Sequence, residues 1–177
     1  MNEILNKYSE EIERILAKYP PEQKRSAVMP LLIMAQRDDG YVSQKNMDDI
    51  SEILSISRTE VATIVGFYTL FHEKPGGRYH IQVCTDISCA LRGADQYFQE
   101  LCDYLGLENG GTTEDGLVTL EAVMCLASCH KAPMFQLQGD GKVLYHDHQT
   151  FESTKAFIEE LRHLKGVETD EKEKDNE

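Results

Sequence analysis

Tyr79-His80-Ile81-Gln82-Val83-Cys84-Thr85-Asp86-Ile87-Ser88-Cys89 is the stretch on which the fold turns. Tyr79, Ile81 and Val83 alternate with His80 and Gln82, so the spacing predicts a strand that runs straight into Cys84. A second pair, Cys125 and Cys129, follows Cys89 after 35 intervening residues, and Cys102 is the one cysteine outside the pattern. Between the pairs, Tyr97, Phe98, Leu101 and Leu105 mark a helix over Gly93 to Gly106. Leu117 to Val123 then reads as a second strand ending near Cys125. The chain leaves one strand end, passes through a helix, and returns with a second pair of thiols.

Beyond Cys129 the pattern stays extended. Met134, Phe135 and Leu137 predict a third strand, and Gly139-Asp140-Gly141 turns it into a fourth containing Val143, Leu144 and Tyr145. Phe151, Phe157, Ile158, Leu161 and Leu164 predict a final helix. Residues 74–165 therefore read as an α/β domain of thioredoxin-like plan around a four-stranded sheet. From Gly166 onward Val167 is the only large apolar residue, so the acidic tail 166–177 is expected to be disordered.

Upstream the period is helical. Ile4, Leu5, Tyr8, Ile12, Ile15, Leu16 and Tyr19 form one apolar stripe, ended by Pro20 and Pro21. Ala27 to Met34 is a second segment, in which Pro30 either starts a helix or kinks one. Ser43 caps a third helix, and Ser57 with Glu60 has capping-box spacing for a fourth. Gly66 within that fourth helix implies a closely packed neighbour or a bend. Residues 1–73 form an N-terminal helical bundle on this reading, joined at Pro75-Gly76-Gly77 to the second domain, so the whole chain is α+β with an α/β half.

The 177 residues carry a net charge of -13, which argues against a nucleic-acid backbone as partner, since that binding runs on clustered Lys and Arg. No apolar run approaches the roughly 18 residues of a membrane span, so no direct membrane insertion is expected. The amino terminus has no cationic stretch followed by an apolar one, so the thiols are expected in a reducing compartment and available to metal.

Two cysteines separated by three or four residues can turn both sulfurs toward one ion. Two such loops suit a [2Fe-2S] cluster with two thiolates per iron, or a single four-thiolate zinc that only holds an interaction module together. A thiol redox protein is a weaker reading, because no CxxC opens a helix. Val83, Ile87, Ala90, Leu91, Met124, Leu126, Ala127, Ala132 and Met134 surround the cysteines with apolar groups, which suits a cofactor whose potential must be set. Cys102 reads as a buried structural thiol, His130 as a bystander, and His146-Asp147-His148 as surface. No phosphate loop, nucleophile–base pair or HExxH helix is present, and no catalytic residue is assigned.

The chain resembles the thioredoxin-like [2Fe-2S] subunit of the NADH-oxidising arm of respiratory complex I, a form shared with some NAD-linked hydrogenases and formate dehydrogenases. The resemblance rests on Val61-Ala62-Thr63, Phe67-Tyr68-Thr69-Leu70-Phe71, Tyr79 to Cys84 with Cys89, Leu91 and Gly93, Gly111-Thr112-Thr113 with Asp115-Gly116, and Cys125-Leu126, Cys129 and Ala132-Pro133. It implies that Cys84, Cys89, Cys125 and Cys129 bind a [2Fe-2S] cluster, and that FMN and NADH sit on a partner flavoprotein subunit. Other subunits of the peripheral arm complete the assembly, which is cytoplasmic and peripheral to the inner membrane. The helical first 73 residues are then the expected clamp onto the flavoprotein. Which of the three hosts applies stays open.

Two positions depart from the family. Ala127 stands where a glycine is usual, which speaks against a positive backbone angle there. Met124 stands where an acid is usual, which implies a somewhat higher cluster potential. Pro133 matches the cis-proline of thioredoxin-like folds, so a cis Ala132-Pro133 bond is expected.

Overall fold

The structure is a computed structural model that describes residues 3–174. The chain divides into two compact units, Met1–Pro75 and Gly76–Glu177. In the first unit the described residues form α1 (Glu3–Leu16), a 3-10 turn (Pro21–Ala27), α2 (Val28–Asp39), α3 (Gln44–Leu54) and α4 (Arg58–Phe67). Pro30 falls in the first turn of α2, where its missing N–H would have had no intrahelical partner, so it starts that helix rather than kinking it. Gly40, at φ 75°, ends it in the left-handed conformation.

Ser43 caps α3 by accepting the Asn46 N–H at 3.1 Å. At α4 the capping box is complete: Ser57 Oγ accepts the Glu60 N–H at 3.2 Å and Glu60 Oε2 accepts the Ser57 N–H at 3.0 Å. The apolar stripes meet in one core that includes Ile12, Leu31, Leu32, Met47, Ile50, Leu54, Val61 and Val65. Asp49 on α3, though buried, accepts the Ile4 N–H at 3.1 Å and so fastens the start of α1. Gly66 has neither feature implied by its sequence: nothing lies within 4 Å of where a Cβ would project, and α4 ends one residue later.

The second unit holds β1 (Tyr79–Cys84), α5 (Ile87–Ala90), α6 (Ala94–Leu105), β2 (Gly111–Thr112), β3 (Val118–Val123), β4 (Phe135–Gly139), β5 (Lys142–His146) and α7 (Phe151–Lys174). Its sheet has five strands in the order β2-β3-β1-β4-β5, not four. The extra strand is Gly111–Thr112, paired antiparallel with Leu120 and Thr119, and two residues are too few to show a period in sequence. At the carboxy end α7 runs on past Gly166 to Lys174, and residues 175–177 of the expected tail lie outside the described residues. Glu and Lys dominate residues 168–174, and both are strong helix formers that extend a helix without needing a core.

Alternation sorts the sheet into two faces. Ile81, Val83, Val118, Leu120, Phe135 and Leu137 face Tyr97 and Leu101 of α6 and Ile158 of α7, and this is the core of the unit. On the other face Gln82 Oε1 accepts from Gln136 Nε2 at 3.0 Å and from Gln138 Nε2 at 2.8 Å, while its own Nε2 donates to Glu121 at 3.1 Å. These amides satisfy each other, which is what allows Gln82 to be wholly buried. Gly77 has no room for a side chain, since a Cβ would lie 2.7 Å from the Val118 backbone.

His146 on β5 stacks on Phe135 with ring centroids 4.5 Å apart and an interplanar angle of 9°. Burial holds its pKa below the ordinary 6.5, against the pull of Asp147 in the other direction. A base with a depressed folded pKa binds fewer protons folded than unfolded, so its stability contribution is full above about 6.5 and declines as pH falls below that. The urea midpoint of the wild-type chain is expected to drop below pH 6.5 by an increment that His146→Phe lacks; superimposable pH profiles would contradict this.

Candidate metal centre

The parallel pairing of β1 with β3 decides where the cysteines go. Its register runs from Tyr79 opposite Val118 to Cys84 opposite Val123, so both strands finish side by side at the same edge of the sheet. Cys84 is the last residue of β1, and the Thr85 N–H donates to the Val123 carbonyl at 3.0 Å just beyond it. Each chain segment then enters a loop that carries one thiol pair. Ligand sites of open α/β sheets form at such carboxyl ends, where adjacent loops leave parallel strands together.

The first loop turns at once into α5, which places Cys89 back under the strand end; its N–H donates to the Asp86 carbonyl at 2.8 Å. Cys84 and Cys89 are buried against Ala94, Ala132 and Met134. The second loop is open: Cys125 and Cys129 are exposed, with their sulfurs 3.6 Å apart. Cys129 opens a 3-10 turn over Cys129–Lys131. The Ala132-Pro133 bond that follows is cis, as the sequence implied.

The four thiols form one electrostatic group. Burial, followed by the hydrogen bond and charge of Cys84 and the charges of Cys129 and Cys125, pushes the Cys89 thiol up to about 12. Burial of this kind keeps a thiol protonated unless a cation stands beside it. Among the described residues no three His, Cys, Asp or Glu side chains meet at a single ion-sized point. What is present is two close pairs, one buried and one exposed.

The apolar surround divides the same way. Ala132 and Met134 are buried behind the inner pair, but Ile87, Leu91 and Met124 are 74%, 84% and 76% exposed, forming an open collar rather than the closed wall that the sequence suggested. Cys102 is buried among Leu101 and its neighbours on α6, with its pKa raised first by burial and then by Asp103. His130 is exposed on the 3-10 turn. The reading of residues 146–148 as surface is corrected at His146, which is half-buried and stacks on Phe135.

Ala127 overturns its expectation. It adopts φ 60°, a left-handed angle that alanine tolerates poorly, and its N–H donates to Cys125 Sγ at 3.4 Å. The left-handed turn at Ala127 and the amide directed at sulfur occur together in this loop. An N–H so directed favours the more reduced, more negative state of a bound cluster. Sequence offered no sign of the ion pair between Lys131 and Asp147, 2.6 Å, because its partners come from separate loops.

The parallel pairing of β1 with β3 and the cis bond before β4 define a thioredoxin-like domain, with two thiol pairs at the carboxyl edge of its sheet. The sequence model of the thioredoxin-like [2Fe-2S] ferredoxin family matches residues 12–162, and the chain belongs to that family. Among curated relatives, the NADH-quinone oxidoreductase subunit 2 of Thermus thermophilus is 39% identical over 129 residues, 73% of this chain and 71% of that one. An NADH-quinone oxidoreductase subunit of Rhizobium meliloti is 39% identical over 153 residues, 86% of this chain and 88% of its own. Among solved structures, the NAD+-reducing [NiFe]-hydrogenase in the air-oxidized state superposes with a TM-score of 0.59 at 19% identity. That match covers 76% of this chain but 23% of the hydrogenase chain, and it shows the fold alone.

Ala127→Gly removes the strain without removing the amide, and is expected to stabilise the chain by about 1 kcal/mol. Urea unfolding measures this; an unchanged or lower midpoint would show that the loop carries no strain at Ala127.

Proposed function

We propose that this chain is the [2Fe-2S] electron-transfer subunit of an NADH:quinone oxidoreductase, with Cys84, Cys89, Cys125 and Cys129 as the cluster ligands. The observation that carries the reading is the meeting of two thiol pairs at the ends of adjacent parallel strands, one pair buried and the other open. A bound [2Fe-2S] cluster supplies a one-electron carrier with about two negative charges when oxidised and about three when reduced. Cys84 and Cys89 would hold it from the protein side, and Cys125 and Cys129 would hold it from the exposed loop.

The residues around the site have distinct tasks on this reading. Ala132 and Met134 exclude water from the inner thiols, which lowers the potential by disfavouring added negative charge. The Ala127 N–H raises it again through Cys125. Ile87, Leu91 and Met124 give the exposed thiols an apolar rim on which a partner protein can exclude solvent during transfer. Hydride chemistry belongs to a partner flavoprotein that binds FMN and NADH, and this chain works as a subunit of the oxidoreductase without an active site of its own.

Curated relatives at 39% identity favour the quinone-linked complex over a hydrogenase host, for which the likeness is structural and at 19% identity. In that complex the chain sits in the peripheral arm. No helix among the described residues is long and apolar enough to cross a membrane.

The all-helical unit is proposed as the clamp onto the flavoprotein. Co-expression with that partner tests this: the full chain is expected to co-purify with it, whereas a chain lacking residues 1–73 keeps its iron but loses the partner. A truncated chain that still co-purifies would move the clamp to the second unit.

A further inference from the structure

The second cysteine loop is held by a charged pair outside the four thiols. Lys131 closes the 3-10 turn that begins at Cys129, and its N–H donates to the Ser128 carbonyl at 3.0 Å. Its ammonium donates to Asp147 Oδ2 at 2.6 Å. Two backbone bonds flank that contact: the His148 N–H donates to the Lys131 carbonyl and the Gln149 N–H to the Pro133 carbonyl, both at 2.8 Å. The loop is thereby laced to the turn between β5 and α7.

That turn is itself anchored. Gln149 Nε2 donates to the Asp147 carbonyl at 2.9 Å, and its Oε1 accepts from Ser153 Oγ at 3.0 Å and Thr154 Oγ1 at 3.1 Å. Thr154 Oγ1 shares a hydrogen bond of 2.6 Å with the buried Tyr97 hydroxyl on α6. The turn that presents Asp147 to Lys131 is therefore tied to both α6 and α7. Asp147 Oδ1 is buried without a hydrogen-bond partner, so among the described residues the carboxylate's charge is answered by Lys131.

We propose that Lys131 and Asp147 are a positioning pair that tunes the reduction potential of the site: Lys131 contributes one positive charge from the same 3-10 turn as Cys129, and Asp147 holds that charge while offsetting its field. The inference rests on the [2Fe-2S] reading above. Reduction adds one electron to a group that is already anionic, so an unmatched cation beside Cys129 favours the reduced form and an unmatched anion disfavours it. Side-chain exposures of 42% for Lys131 and 28% for Asp147 leave this field only partly screened.

Two changes remove one charge each: Asp147→Asn is isosteric and keeps an acceptor for the Lys131 ammonium, and Lys131→Gln leaves a shorter, neutral amide donor. In potentiometric titrations of the cluster-loaded chain at low salt, Asp147→Asn is expected to shift the potential upward and Lys131→Gln downward. The double variant returns close to wild type, and added salt shrinks both shifts. A pair that only braces the loop would move both single variants the same way, and that result, or no shift in either, overturns the proposal. Where a single variant fails to retain iron, the double variant decides: a loaded double at the wild-type potential supports the coupling, and a double without iron assigns the pair to folding and overturns it. A wild-type chain that purifies colourless and without iron refutes the [2Fe-2S] reading instead, so the two failures are told apart.

Discussion

The parallel ladder between β1 and β3, with Cys84 opposite Val123, is the constraint on which the site depends. Parallel strands end on the same side of a sheet, and the crossover through α6 supplies the length of chain that a parallel return requires. Were the two strands antiparallel, the cysteine loops would leave from opposite edges, and four thiols would never meet. The 35 residues between the pairs are the material of that crossover.

From this pairing follows the asymmetry of the centre. β1 is the central strand, flanked by β3 and β4, so its last residue Cys84 is buried, and the short α5 folds Cys89 back beneath it. β3 lies one strand nearer the edge, and its loop carries Cys125 and Cys129 into the open. On the proposed reading the inner pair would anchor the cluster and the outer pair would face a partner. The loop of the outer pair would be the looser one, and it is held by backbone bonds to residues 148 and 149, by Lys131 against Asp147, and by a left-handed turn at Ala127.

What could be read in the sequence was the periodic part. The alternation of Tyr79, Ile81 and Val83, the capping residues Ser43 and Ser57, and the spacing of the cysteines are local signals, and the first two produced the elements expected of them. The Gly111–Thr112 strand was too short to carry a period, and the extension of α7 to Lys174 came from helix propensity in a stretch with no apolar face. Ala127 takes a left-handed angle against its local preference, and no local pattern in the sequence announces it. The pairing of Lys131 with Asp147 joins two loops brought together by tertiary structure, and no local pattern announces it. The spacing of the cysteines into two pairs was legible; the burial of one pair and the exposure of the other was not.

On this reading the two thiol pairs hold two irons bridged by sulfide rather than one zinc. Electron paramagnetic resonance of the anaerobically purified, dithionite-reduced chain, with metal analysis of the same sample, tests it most directly. About two irons and two sulfides per chain are expected, with a rhombic spin-1/2 signal that appears on one-electron reduction. A colourless chain with one zinc and no signal would contradict it.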